Sequence, residues 1–186
     1  MKHMTNNTFQ RFLLFCVLWL GLLGSCGALR AEDSAQEYQL KAAFLVNFAR
    51  FITWPESSFS SEPQELIFCV VGKNPFGSAL LAAEAKKING RKPKVVYVDS
   101  LQKVPACHLL FIGKSENTEV AASMLERFGK QAVVTVSDMP GFANAGGSIE
   151  FVLKENRLSF IINHSAMKQQ GVQTSASLLN LAASVQ

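Results

Sequence analysis

LIFCVV, residues 66–71, followed by GKNPFG at 72–77, decides how the rest of the chain is read. Six apolar residues in a row, three of them β-branched, make a short strand buried on both faces. The glycines and Pro75 then turn the chain, and Ser78 to Lys87 reads as a helix. The same strand signal returns in KVVYV (94–98), LLFI (109–112, extended back to Cys107) and AVVTV (132–136). Between the last two lies Ser115 to Phe128, an amphipathic helix with a Ser cap, Glu119 in its first turn and Gly129 at its end. Strands alternating with helices imply a mostly parallel central sheet with helices on both faces. The tail differs. Ser148–Leu153 and Leu158–Ile162 are two strands joined by Lys154-Glu155-Asn156-Arg157, an edge hairpin. Ser165–Gln170 and Ser175–Val185 read as closing helices, and no repeat or long linker breaks the chain. The expectation is a single α/β domain.

Upstream of LIFCVV, Gln36 to Thr53 has helical spacing, and Trp54-Pro55 ends it. On a helical wheel Leu40, Phe44, Phe48 and Phe51 form one broad stripe, which places Phe48 and Phe51 in the core. Asn47, Arg50 and Trp54 form a second strip beside it. Trp and Arg are enriched where partners bind, so this strip is a candidate contact surface. The alternative is that Asn47 and Arg50 bond to neighbouring loops and Trp54 plugs the end of the core.

The first 31 residues have no acid, carry Lys2 and Arg11 near the start, and run uncharged from Phe12 to Leu29. Basic start, short apolar run and small-residue end make a secretory signal, giving 1–31 as leader and 32–186 as the domain. An uncleaved membrane anchor is the rival reading, since 18 uncharged residues approach the roughly 20 that a span needs. Leu23-Gly24-Ser25-Cys26 resembles a bacterial lipobox, which makes Cys26 a candidate lipidation site. From Glu32 onward there are 15 Lys plus Arg against 14 Asp plus Glu, a net charge of +1. The basic balance belongs to the leader, which argues against nucleic acid as a partner.

Cys69 and Cys107 are the cysteines inside the domain. In an exported chain such a pair reads as a disulfide, and two buried free thiols are the alternative. Cys107-His108 has the composition of a nucleophile and base, but strand neighbours point to opposite faces. Gly72 to Ser78 stands where a phosphate loop would, yet lacks the Lys after its second Gly and carries Pro75. Asp99 and Asp138 follow strands without an identified base. No metal, cofactor or catalytic constellation is expected. Lys86, Lys87, Arg91, Lys92 and Lys94 form a basic cluster, either a solvated helix end or an anion and acidic-partner site. Arg91 follows the Asn89-Gly90 turn, which would aim it.

EYQLKAAFLVNFARFITWP (37–55), IFCVVGKNPFG (67–77), NGR (89–91), CHLLFIGKSE (107–116), VVTVSD (133–138), GFANAGGSIEFV (141–152) and FIINHSAMKQQGVQTSASLLNLA (160–182), in this order, resemble the YfiR-like family of exported bacterial proteins. The resemblance implies a compact, often dimeric α/β domain without catalytic residues. It implies a periplasmic repressor that binds the periplasmic part of an inner-membrane diguanylate cyclase, or a sensor kinase, and is sequestered by an outer-membrane lipoprotein. It also implies a Cys69–Cys107 disulfide. A second cysteine pair found in some members is missing, since 142–151 contains no Cys. Expected partner or ligand surfaces are Asn47, Arg50, Trp54, Arg91, Asn163, His164 and Lys168. A soluble periplasmic protein is expected, with lipid anchoring through Cys26 as the alternative form. A small-ligand or anion-sensing module is the rival function.

Overall fold

The computed structural model describes residues 25–59, 64–99, 103–154 and 157–186, with side chains from Ser34 onward. Residues 1–24, most of the expected leader, and the side chain of Cys26 lie outside the described residues. The chain divides into two units, Met1–Glu37, whose described part is helical, and Tyr38–Gln186, which holds the sheet.

Helix α1 covers Ser25–Phe51 and passes into a short strand β1, Ile52–Thr53. Two β-branched residues and then Pro55 end it, because neither favours continued helix. Strand β2 is Glu65–Val71, β3 is Lys92–Val98, β4 is Leu109–Ile112 and β5 is Val134–Ser137. These pair in parallel in the order β3-β2-β4-β5. Helix α2, Thr118–Phe128, crosses from β4 to β5. The hairpin β6 (Ile149–Lys154) and β7 (Arg157–Ile162) extends the sheet from β5. Helix α3 is His164–Gln169, β8 is Gln173–Thr174, α4 is Ala176–Leu181 and β9 is Ser184–Val185. The result is the expected α/β fold: a mostly parallel sheet of seven strands, with β1 and β8 as a separate antiparallel pair.

The two sheet faces bury different elements. Phe68, Val70, Leu109, Phe111, Val134 and Val136 pack with Leu45 and Phe48 of α1, Ile52 of β1, Met167 of α3 and Leu178 of α4. The alternate residues Cys69, Val71, Leu110 and Ile112 pack with Ala121, Met124 and Phe128 of α2. Burial on both faces is why these strands read as unbroken apolar runs.

Several expectations change. Ser78–Lys87 is not an α-helix; it holds a 3-10 helix at Leu80–Ala85. Residue 93 is a proline inside β3, tolerated because β3 is the sheet's outer strand. The cap of α2 is Asn117, whose Oδ1 accepts from the Val120 N–H, rather than Ser115. The last predicted helix stops at Leu181, and Ser184–Val185 pairs in parallel outside β7, so the hairpin is one short strand from the edge.

The core face of α1 is also rotated from the predicted stripe. Its buried residues are Lys41, Ala42, Leu45, Phe48 and Ala49, whereas Leu40 and Phe51 are exposed, at 48% and 38%. Spacing of three and four residues is satisfied by both stripes. Alanines at 42 and 49 let α1 approach the sheet closely, and the bulkier Leu40 and Phe51 stay outside.

Candidate functional site

The end of α1, β1 and the 3-10 turn Glu56–Ser58 meet the Asn89-Gly90 turn around a cleft of about 340 Å3. Ala49, Arg50, Ile52, Thr53, Trp54, Phe59, Leu66, Ile88, Asn89 and Arg91 line it. The turn is built for aim. Asn89 and Gly90 adopt positive φ of 50° and 82°, the region asparagine and glycine tolerate best. Ile88 and Arg91 exchange both backbone hydrogen bonds across it, at 2.9 and 3.0 Å. The Asn89 amide then donates to the Ala49 and Arg50 carbonyls at the end of α1.

Arg91 emerges fixed. Its guanidinium lies 3.7 Å over the Phe59 ring, and Nη2 donates to both Glu56 carboxylate oxygens at 2.8 Å. Phe59 stacks on His108 in turn, with ring centroids 4.3 Å apart, and Trp54 meets His108 edge to face. Trp54 is buried and its indole N–H donates to the His108 carbonyl at 3.0 Å. His108 itself serves the backbone: Nδ1 accepts from the Ile67 N–H, and Nε2 contacts the Ser58 carbonyl at 3.2 Å. Nε2 therefore carries the ring proton. Burial, reinforced by the nearby Arg91 charge and opposed by the Ser58 contact, lowers its pKa from 6.5 to about 4.

Other reactive side chains are engaged elsewhere. Cys69 and Cys107 form a disulfide, with Cα atoms 6.0 Å apart, so neither offers a thiolate nucleophile or metal ligand. Asp138 accepts from the Lys41 ammonium at 2.5 Å, the Tyr38 hydroxyl at 2.8 Å and the Lys114 N–H at 2.6 Å. Asp138 thus sits at the C-terminal end of β5, where open α/β sheets often take ligands, but holds α1 there instead. Lys41 went unnoticed in the sequence because a lone lysine in an apolar helix reads as solvated. The Gly72–Gly77 loop uses its amides internally, Gly72 N donating to Val98 O and Phe76 N to Asn74 Oδ1.

Of the residues selected from sequence, the structure gathers Arg50, Trp54 and Arg91 at the cleft, with Asn47 accepting from Arg50 Nη1 at 3.0 Å. The strip divides, however: Asn47 and Arg50 are exposed, whereas the Trp54 ring lies in the core. Asn163, His164 and Lys168 are not part of this cleft. Asn163 caps α3, accepting from Ala166 N, and donates to Ala143 O. His164 is half-buried, its N–H bonded to the Gln186 carbonyl, and Lys168 is exposed in the last turn of α3. Phe59 and Glu56 complete the site and were missed, for nothing in the polar loop that holds them gives a periodic signal. A larger hollow, about 570 Å3 between α2 and the 139–146 loop, has a mixed lining that includes Leu125, Phe142, Glu126 and Lys130 and holds none of the selected residues. Among the described residues no helix is long and apolar enough to cross a membrane.

No curated protein matches the sequence. A conserved domain protein from Vibrio cholerae O1 biovar eltor is similar in structure at a TM-score of 0.45 and 15% identity, over 70% of this chain and 58% of that one. An ABC domain in complex with L-Trp from Streptococcus pneumonia reaches 0.42 at 11% identity, with the same coverages. The chain thus spans 58% of the length of either protein. The YfiR/HmsC-like family, by contrast, matches residues 38–183, which take in every strand but the last. The chain therefore belongs to the YfiR/HmsC-like family, a membership that supports a regulatory role in the periplasm.

Proposed function

We propose that this protein is exported, residues 1–31 serving as its signal and 32–186 as the working domain, and that it represses a membrane-bound diguanylate cyclase by contact with the cyclase's periplasmic part. A sensor kinase in the same position is the related target, and sequestration by an outer-membrane lipoprotein releases the repression. The observation that carries this reading is the family match across nearly the whole sheet domain. It is supported by chemistry: Cys107, Asp138 and His108, which suggest catalysis in the sequence, are held in a disulfide, a buried ion pair and a backbone hydrogen bond. Regulation by sequestration needs only competing affinities for two partners. Leu40 and Phe51, exposed together on the solvent side of α1, offer an apolar surface for a homodimer. The protein works without a cofactor, either free in the periplasm or anchored there through a lipid on Cys26.

Affinity purification from detergent-solubilised membranes tests the partner. The expected result is recovery of an inner-membrane cyclase or kinase with the tagged protein. Recovery of neither after crosslinking in cells counts against the reading. The mass of the mature N-terminus separates the free from the lipidated form.

A second reading is a small-ligand or anion-sensing module. It is favoured by one observation, a positive cleft in which Arg91 is rigidly placed on an aromatic ring.

A further inference from the structure

His108 is the joint between the turn that follows α1 and the sheet. The turn closes on itself, with Ser58 N–H donating to Pro55 O and Phe59 N–H to Glu56 O, and none of Glu56, Ser57 and Ser58 is buried. Its hold on the sheet runs through the imidazole. Nε2–H donates to the Ser58 carbonyl, and the Phe59 ring lies on the imidazole with centroids 4.3 Å apart. What remains is weaker: Phe59 is half-buried against the core, and Glu56 makes an exposed pair with Arg91. On its other side the imidazole is tied to β2, where Nδ1 accepts the Ile67 N–H at 3.0 Å. One ring thus donates to the turn and accepts from the strand, which only a neutral imidazole can do.

A proton on Nδ1 disturbs both sides. The Ile67 N–H then faces a second donor, and its bond is lost. The new charge also stands one phenyl ring away from Arg91, whose guanidinium lies 3.7 Å over the other face of Phe59. The charged groups on the elements around the ring are Arg50 at the end of α1, Glu56 on the turn, Glu65 on β2, Arg91, and Lys92 and Lys94 on β3; β4 and β5 carry none. Both carboxylates are already committed, Glu56 to Arg91 and Glu65 to Lys94. Among the described residues these elements therefore offer a charged imidazole more repulsion than support.

We propose that His108 is an acid-sensitive latch, whose protonation releases the Pro55–Phe59 turn from the sheet and takes away the ring on which Arg91 rests. Trp54 stays behind as the hinge, because its indole is buried and bonds the His108 backbone carbonyl rather than the imidazole. In the released form Arg91 loses its aromatic support and Glu56 together, so the surface at the end of α1 is remodelled while the sheet stays folded. The direction follows from the two proton affinities. The latched ring titrates at about 4 and the released ring at the ordinary 6.5, so release is favoured as pH falls below 6.5. For one proton, the released fraction rises about tenfold between about pH 7.5 and about pH 5.5. The latch belongs to the fold and does not depend on the cyclase reading.

Amide hydrogen exchange followed by NMR on the full chain tests it, since exchange detects rare local openings. Rates are corrected for the intrinsic effect of pH. The Ile67 amide, bonded to Nδ1, and the Phe59 amide, in the turn, are expected to be less protected than Phe111 and Val136 at the sheet centre. Between about pH 7.5 and about pH 5.5 they should lose protection about tenfold. In His108→Gln, which keeps an acceptor and a donor but takes no proton, that loss disappears. The His108 ring nitrogens in wild type supply a second measurement that needs no variant, with a titration midpoint expected well below 6.5. The proposal is overturned if Ile67 and Phe59 exchange together with the sheet centre, since the turn then opens only when the whole molecule unfolds. It is also overturned if their protection in wild type does not change with pH, if the ring titrates at its ordinary value, or if folded His108→Gln loses as much protection as wild type.

Discussion

Lys41 and His108 are polar side chains placed where the sequence asks for apolar ones, and each ties α1 or its following loop to the sheet. Lys41 is 1% exposed and sits 4.3 Å above the Tyr38 ring while bonding Asp138. Replacing one member of a buried pair leaves the other desolvated, which costs about 3–5 kcal/mol. Lys41→Met is therefore expected to lower unfolding free energy by that amount in urea titrations, although methionine is the more apolar residue. His108 gives a pH dependence of definite sign. Its folded pKa, about 4, lies below the ordinary 6.5, so the unfolded chain binds a proton that the folded chain refuses. Stability from this group is complete above pH 6.5 and is lost as pH falls toward 4. Thermal unfolding at pH 7.5 and pH 5, roughly spanning that window, should show a smaller drop for His108→Gln, which keeps one donor and one acceptor but cannot charge. At this scale the sequence is least legible. Arg91 stands out because Asn89-Gly90 announces the turn that aims it. Lys41, Glu56 and Phe59 matter through partners far along the chain, which no local pattern encodes.

Elements are more legible than their faces. The strands announce themselves because burial on both sides leaves unbroken runs such as LIFCVV, and the parallel order follows from their alternation with crossovers. The 3-10 segment Leu80–Ala85 looks helical because its alanines suit either geometry. The orientation of α1 is the clearest misreading. Phe48 lies within 4.9 Å of Phe160 and 5.7 Å of Phe151, centroid to centroid, in the middle of the core. Phe51, three residues on, lies outside it. Phe48→Ala should cost about 3–5 kcal/mol by loss of contact and a residual cavity. Phe51→Ala, at a partly exposed position outside the core, should stay within roughly 1 kcal/mol of wild type in chemical denaturation. Equal costs at the two positions would mean that α1 presents the other face.

For the whole molecule, order and spacing carry more than any single residue. Motifs scattered from 37 to 182 identify the family because the fold that joins them is shared, and the match over 38–183 bears that identification out. The regulatory account has a direct cellular consequence, since a repressor's loss must raise the output it restrains. On the function proposed above, that output is the cellular level of cyclic-di-GMP, measured by mass spectrometry in a strain lacking the gene, with and without a plasmid copy. The account predicts a clear rise on deletion and a return to baseline on complementation. An unchanged level in the deletion strain, with the cyclases of that strain expressed, would contradict it.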